Sequence, residues 1–392
     1  MSTPLRIAIP IHSGEPGGVE RVALGLAHAW LAAGDEPMIV LGRRDGAMIG
    51  MVEGLPQVMR PNPVPTALWE TIWMIWSLWR YLKHNKADVI FCSGNTYAVV
   101  AVAMKILLGR HCPPVVAKVS NDLARSDMPA LGRPFYRFWL RVQGHVFARN
   151  VGMAEPMRAE IAEAMAIAPE AVAIVKDPSL AQGQFERLAA IDRGAPRAGP
   201  PRYVAVGRLA GQKNFPLLLR AFARGAPPDA ELVILGEGAG RRELEKLAAR
   251  LGISARLKLP GHIADITPWL ESATAYVMSS DYEGVPAVVI EALAAGLPVA
   301  TTECSVSMRE LLEDGRFGLL VPVGDEAALA DALGRIATFS LPVDDARATA
   351  ASFTIAQAAP RYRALFESAT EQSGANGMVG NVKGKGLINL EA

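Results

Sequence analysis

Short apolar runs alternate with longer stretches of helical period along most of the chain. Residues 5–11 read as a buried strand, 12–18 as a glycine-rich loop, 19–33 as a helix closed by Gly34, and 37–41 as the next strand. Residues 66–86 and 134–149 have helical period. Residues 87–92 and 115–119 are further strands, and they run into the polar loops Ser93-Gly94-Asn95 and Ser120-Asn121-Asp122. A polar stretch at 177–201, with Gly, Pro, Arg and Ala, reads as a connection. The pattern then restarts with a strand at 202–207, a loop carrying Arg208 and Lys213, and a helix from Phe215. Strands at 231–235, 256–259 and 273–278 follow, with helices at 241–251 and 263–271 between them. A helix opened by Pro286 and stopped by Gly296 leads into a strand at 298–301. Repeated strand–loop–helix units predict an α/β chain of two Rossmann-like domains. The expected boundaries are 1–180, 200–350, a helix at 351–370 packing back on the first domain, and a disordered tail at 371–392.

The length, 392 residues, is too great for one ordinary core and agrees with two domains. Hydrophobic residues make up 51% and charged residues 20%, a globular composition. The net charge of +1 provides no global field for nucleic acid. Cys92, Cys112 and Cys304 are too far apart in sequence for a metal-ligand pattern or a disulfide framework, so a reducing cytoplasm is expected. The first ten residues run directly into a strand without a signal-peptide layout. No run approaches the ~18 apolar residues of a membrane span. The helices at 66–86 and 134–149 nevertheless combine aromatic and basic side chains. The first reads either as a membrane-surface helix or as a helix packed on the sheet, and the second either as a membrane-surface helix or as a solvated helix face.

The chemistry gathers in the second half. The helix start at Pro286-Ala287 leaves backbone N–H groups at the positive end of a dipole, a ready place for phosphate. Glu283 lies in the loop before it. Glu291 lies inside the helix among Val288, Val289, Ile290, Ala292 and Leu293, where an unpartnered carboxylate is rare. It is either a ligand group or an ion-paired or capping residue. Arg208 and Lys213 supply two cations on one loop; each alone would more often be a surface residue, but their joint placement shifts that strongly. Two cations and a helix start suit a diphosphate, and carboxylates suit sugar hydroxyls, so the sum is a nucleoside diphosphate-sugar site. In the first half, Gly17-Gly18 would let a ligand approach the backbone or would simply make a tight turn.

These motifs resemble those of family 4 retaining glycosyltransferases of the GT-B fold. The resemblance rests on Gly17-Gly18-Val19-Glu20, Val206-Gly207-Arg208-Leu209 with Lys213-Asn214, Leu235-Gly236-Glu237-Gly238, and Leu259-Pro260-Gly261-His262. It also rests on Ser280 to Pro286 continuing through Glu291 to Val299. It covers residues 5–368 and is stronger in the second half. It implies two Rossmann-like domains facing each other across a cleft, with a nucleotide-sugar donor and a lipid-linked or glycan acceptor. Arg208 and Lys213 would bind the donor diphosphate, Glu283 the sugar hydroxyls and Glu291 the ribose. Gly207, Gly284, Val285, Pro286 and Ala287 would line the donor site, and His262 and Ile263 would lie near the base. Gly17, Gly18, Asn121 and Asp122 would face the cleft from the acceptor side. No metal and no cofactor are implied, and the reaction would retain anomeric configuration. The implied setting is cytoplasmic or at the inner face of the cytoplasmic membrane, with contact through 66–86 and 134–149. There are two departures. The loop 120–122 lacks the family's frequent His, and 173–178 lacks an Asn common before the domain crossing. A sugar-nucleotide epimerase and a non-catalytic nucleotide-sugar-binding protein are the competing readings.

Overall fold

The structure is a computed structural model that describes residues 3–15, 17–46, 48–61, 69–120, 123, 132–194 and 199–383, with the side chains of 374–383 outside the description. In chain order the first elements are β1 (Arg6–Ile11), α1 (Gly18–Ala32), β2 (Glu36–Leu41), β3 (Gln57–Met59), α2 (Glu70–His84), β4 (Val89–Cys92) and α3 (Ala98–Leu108). There follow β5 (Val115–Lys118), α4 (Arg133–Val146), β6 (Arg149–Gly152), α5 (Met157–Met165), β7 (Val172–Ile174) and α6 (Gln182–Ala189). The second half holds β8 (Arg202–Val206), α7 (Phe215–Gly225), β9 (Glu231–Leu235), α8 (Arg241–Arg250), β10 (Leu257–Gly261), α9 (Thr267–Glu271) and β11 (Ala275–Met278). It ends with α10 (Ala287–Ala294), β12 (Val299–Thr302), α11 (Met308–Leu311), β13 (Gly318–Val321), α12 (Glu326–Arg335), α13 (Val343–Ala351) and α14 (Ile355–Lys383).

Two compact units result. The first holds residues 1–153, 157–178 and 355–392, and the second holds 154–156 and 179–354. The first has a seven-stranded sheet in the order β3-β2-β1-β4-β5-β6-β7, and the second a six-stranded sheet in the order β10-β9-β8-β11-β12-β13. Every strand pair is parallel. Each order reverses between the unit's first and fourth strand. In such sheets ligands bind beyond the carboxyl ends at that reversal.

Parallel strands are covered on both faces, which explains their unbroken apolar runs. In β1, Ile7, Ile9 and Ile11 enter the cluster under α1 and α14, whereas Ala8 enters the cluster under α2, α3 and α4. The second sheet is likewise covered on one face by a cluster involving α7, α8 and α12, and on the other by one involving α6, α10 and α13.

The structure differs from the sequence reading at four places. The stretch 177–201 contains α6, a helix whose apolar Phe185 and Leu188 are too few to give a periodic signal among polar neighbours. The helix expected at 134–149 ends at Val146, and Arg149 begins β6, because its backbone pairs with Val116. The helix expected at 66–86 runs from Glu70 to His84, and 62–68 lie outside the described residues. The last helix continues through Lys383, and 384–392 lie outside the described residues.

α14 completes the first core. Trp30 of α1 is buried, donates its indole N–H to the Ala359 carbonyl at 3.0 Å, and meets Phe91 and Phe366 edge-on at 5.4 and 5.0 Å. Arg363 of α14 bonds the buried Asp35 at 2.9 Å, and Asp35 also accepts from the Leu5 backbone. Trp30→Ala should therefore lower the stability of the first unit by about 3–5 kcal/mol. Urea unfolding followed by Trp fluorescence and by circular dichroism measures this, and an unchanged midpoint for the first unit would refute it.

Candidate functional site

In the second unit the sheet reverses between β8 and β11. The loop after β8 carries Gly207, Arg208 and Lys213, and the loop after β11 carries 279–286. The two loops are bonded to each other at several points. Ser279 donates its hydroxyl to the carbonyls of Lys213 and Asn214 at 2.9 and 3.0 Å. The Asp281 N–H donates to Gln212 O at 2.9 Å, and Gln212 Nε2 donates to Tyr282 O at 2.9 Å. Asn214 Nδ2 donates to Asp281 Oδ1 at 2.8 Å. Asn214 also caps α7: it sits at φ 43°, a left-handed conformation that Asn tolerates, and accepts from the Leu217 N–H.

This bonding brings Lys213 Nζ to 2.5 Å from Glu283 Oε1, with both side chains mostly buried. Gly207 makes room for that lysine. A Cβ at Gly207 would lie 2.9 Å from Lys213 Cε. Gly236 is required for a different reason: its Cβ would lie 1.9 Å from the Gly207 carbonyl oxygen, so β8 and β9 could not end so close together. Arg208 is exposed, and among the described residues it has no carboxylate partner. It lines a cavity of about 510 Å³ with Gly211, Phe215, Gly238, Gly240 and Glu243.

The loop 279–286 is also held from beneath. Thr302 donates to Ser280 O at 2.6 Å, the Glu283 N–H to Cys304 O at 2.9 Å, and Ser307 to Gly284 O at 2.9 Å. Pro286 is the N-cap of α10, one position earlier than the sequence suggests, and its carbonyl accepts the Val289 N–H at 3.0 Å. The N–H groups aimed out of the helix start are consequently those of Ala287 and Val288. Val285 and Ala287 are half-buried beside it.

Glu291 is only 4% exposed, one turn into α10. Gln184 of α6 donates Nε2–H to its Oε1 at 2.8 Å. Both glutamates act electrostatically on the buried Tyr276 of β11, which the sequence reading did not single out. Burial raises its phenol well above the usual range, and the neighbouring Glu283 and Glu291 carboxylates raise it further. Burial, with Glu283 nearby, pushes the Cys304 thiol up to about 12, so this thiol stays protonated. Tyr276 and Gln184 carry no signal in sequence, because each acts through contacts across the fold. On the neighbouring strand edge His262 is exposed, Ile263 packs on the core, and Gly261 accepts from the Gly236 N–H at 2.8 Å.

The first unit has a polar cluster at its own strand reversal. Gly17 is the N-cap of α1, and Gly18 opens the helix. Asn121 and Asp122 lie outside the described residues. Nearby, Glu20 accepts a 2.9 Å hydrogen bond from Tyr97, whose phenol oxygen accepts the His12 N–H at 3.1 Å. The His12 ring stacks on Tyr97 with centroids 4.8 Å apart, and neither ring nitrogen has a hydrogen-bond partner. Burial pushes the His12 imidazole down to about 4; Glu20 opposes the shift and Arg43 adds to it.

The comparisons with known proteins agree with this architecture. A model described as Glycosyltransferase Family 4 matches residues 16–176, and one described as Glycosyl transferases group 1 matches residues 200–338. The chain is 36% identical over 152 residues to a lipopolysaccharide core biosynthesis glycosyltransferase, LpsE, of Rhizobium meliloti, covering 38% of this chain and 44% of that one. It is 37% identical over 130 residues to the N-acetylgalactosamine-N,N'-diacetylbacillosaminyl-diphospho-undecaprenol 4-alpha-N-acetylgalactosaminyltransferase of Campylobacter jejuni, covering 33% of this chain and 35% of that one. The chain thus spans less than half the length of these curated relatives. Among solved structures, Anabaena HepE in complex with UDP superposes with a TM-score of 0.74 at 19% identity, covering 93% of this chain and 100% of that one. The two-sheet α/β architecture is that of GT-B glycosyltransferases. The chain belongs to the group 1 glycosyltransferases, family 4.

His12, buried with no hydrogen bond to its ring and with the Glu70 carboxylate 3.9 Å from Nδ1, has a measurable consequence. An unfolded chain binds a proton at this residue near pH 6.5, whereas the folded chain binds one only near pH 4. The unfolded state therefore holds more protons in that window, and stability falls as pH drops from about 6.5 to about 4, by up to about 3 kcal/mol. His12→Phe should flatten this part of a urea-midpoint profile against pH. An equally steep profile in the variant would refute the assignment.

Proposed function

We propose that this chain is a retaining glycosyltransferase that moves a sugar from a UDP- or GDP-sugar to a lipid-linked or polysaccharide acceptor in cell-surface glycan synthesis. The observation that carries the reading is the meeting of Lys213 and Glu283 at the start of α10, with Glu291 one turn further on. Lys213 and Arg208 offset the charge that grows on the diphosphate as the bond from the sugar C1 to the phosphate oxygen breaks. The N–H groups of Ala287 and Val288 add a fixed positive potential. Glu283 orients sugar hydroxyls, Glu291 the ribose, and the Gly261–Ile263 turn lies beside the base. The acceptor oxygen bonds C1 on the face the phosphate leaves, and its proton passes to the leaving phosphate oxygen. No step in this scheme calls on a metal. The names of the two curated relatives, and the UDP bound to HepE, support the donor and acceptor classes.

The first unit supports a membrane-surface role. α2 is packed on the protein along one side only. Trp73, Met74 and Leu78 pack inward, and Trp73 donates to the Gly42 carbonyl at 3.2 Å. Ile72 and Trp76 stay outside at 64% and 41% exposure. On α4, Phe135 and Phe138 are 77% and 63% exposed beside Arg133, Arg137 and Arg141. Among the described residues no helix is long and apolar enough to cross a membrane. Attachment at the inner face of a cytoplasmic membrane through these helices is the reading adopted, and the three free cysteines agree with a reducing compartment.

Two experiments test these assignments. Lys213→Ala should lower kcat/KM by about 10²–10³ while circular dichroism stays native, because it removes a charge that acts in the transition state. The donor is first found by thermal shift with UDP- and GDP-sugars, since bound ligand raises the midpoint. Normal turnover in the folded variant would sink the site. Separately, the chain should cosediment with phosphatidylglycerol vesicles, less so at 0.5 M than at about 0.1 M salt, where screening is weaker. The Phe135→Glu, Phe138→Glu double variant should lose most of this binding. Binding that ignores salt and both substitutions would dispose of the attachment.

A further inference from the structure

The segment that follows the crossing at 178–179 is fastened along α10. Arg193 donates from Nε to Ala295 O at the carboxyl end of that helix at 2.8 Å, and from Nη2 to Leu270 O at 2.7 Å. Leu188 and Ile191 enter the same apolar cluster as Ile290, Leu293 and Leu297. α6 is thereby fixed in place, and its first turn presents Gln184 to Glu291 with 2.8 Å between Nε2 and Oε1. A glutamate inside an apolar helix can adopt several rotamers, and only a fixed donor selects one of them. The helix needs no glutamine here for its own formation, because Gln184 makes its side-chain bond outside α6.

We infer that Gln184 is a positioning residue of the donor site: its amide fixes the Glu291 carboxylate in the orientation that meets the ribose hydroxyls of a nucleoside diphosphate. The inference rests on the donor-site reading given above. It makes the contact between α6 and α10 a determinant of ribose recognition. Gln184 itself touches neither sugar nor phosphate, so chemistry at the sugar carbon is left intact when the amide is removed.

The test is calorimetric titration of the full chain with UDP and GDP and with their 2′,3′-dideoxy counterparts. The wild type should bind one of the two ribonucleotides and should bind its dideoxy form about tenfold more weakly, the scale of hydrogen bonds to a charged group. Gln184→Ala should weaken the ribonucleotide about tenfold and leave the dideoxy form unchanged, so that the preference collapses. Gln184→Glu, of equal size, should do the same by opposing one carboxylate with another. In turnover assays both variants should raise the donor KM and hold kcat within about twofold, because ground-state binding alone is lost. An equal loss for ribo and dideoxy forms, or no loss at all, in folded variants would overturn the role of Gln184 and leave the donor site standing. A wild-type chain that binds neither UDP nor GDP would overturn the donor-site reading and this role with it.

Discussion

Lys213 and Glu283 come from loops seventy positions apart, and each is mostly shielded from water. Neither charge is cheap to hold alone in such a place, because removing one partner leaves the other uncompensated. Their pairing is therefore a constraint on everything around them. It requires β8 and β11 to be neighbours, Gly207 to lack a side chain, Asn214 to turn left-handed, and Ser279 to tie the two loops together. On the proposed donor-site reading, the same pair would hold a cation ready for a phosphate. A diphosphate entering this place would exchange one anionic partner of Lys213 for another, and Glu283 would be released toward hydroxyl groups.

Much of this was readable from sequence because it is local. Strands of four to six apolar residues, glycines at their ends and Pro286 before a helix are all signals written within a few positions. Lys213, Glu283 and Glu291 stand out for the same reason, since each departs from its immediate pattern. What could not be read is what depends on partners from elsewhere. Gln184 is one polar residue among many until α6 is seen against α10. Tyr276 reads as an ordinary strand residue until the fold buries its phenol within the field of two carboxylates. Pro286 was misplaced by one position because its proline ring suits either side of a helix boundary, and only the Val289 hydrogen bond decides.

The first unit was harder for a related reason. Its chemistry is spread over the ends of several strands, with His12 after β1, Arg43 after β2 and Tyr97 after β4. A lone histidine at the end of an apolar strand announces nothing, and burial without a hydrogen bond to the ring is a property only of the folded chain. The two aromatic helices had two open readings because aromatic residues serve packing and interfaces alike. In α2 the inner side chains pack on the protein, whereas Ile72 and Trp76 stay outside.

The order of units along the chain also has a consequence during synthesis. The second unit is contained in one stretch, 179–354, apart from three residues, whereas the first waits for α14. Until α14 leaves the ribosome, the face of the first sheet that bears Trp30 and Phe91 has no cover from Tyr362 and Phe366. The later half of the chain can thus reach its native form while the earlier half is still open. This reverses the usual amino-terminal-first sequence of domain folding. A nascent chain of this protein therefore lacks the α14 cover over Trp30 and Phe91 for the whole time its second unit is being made.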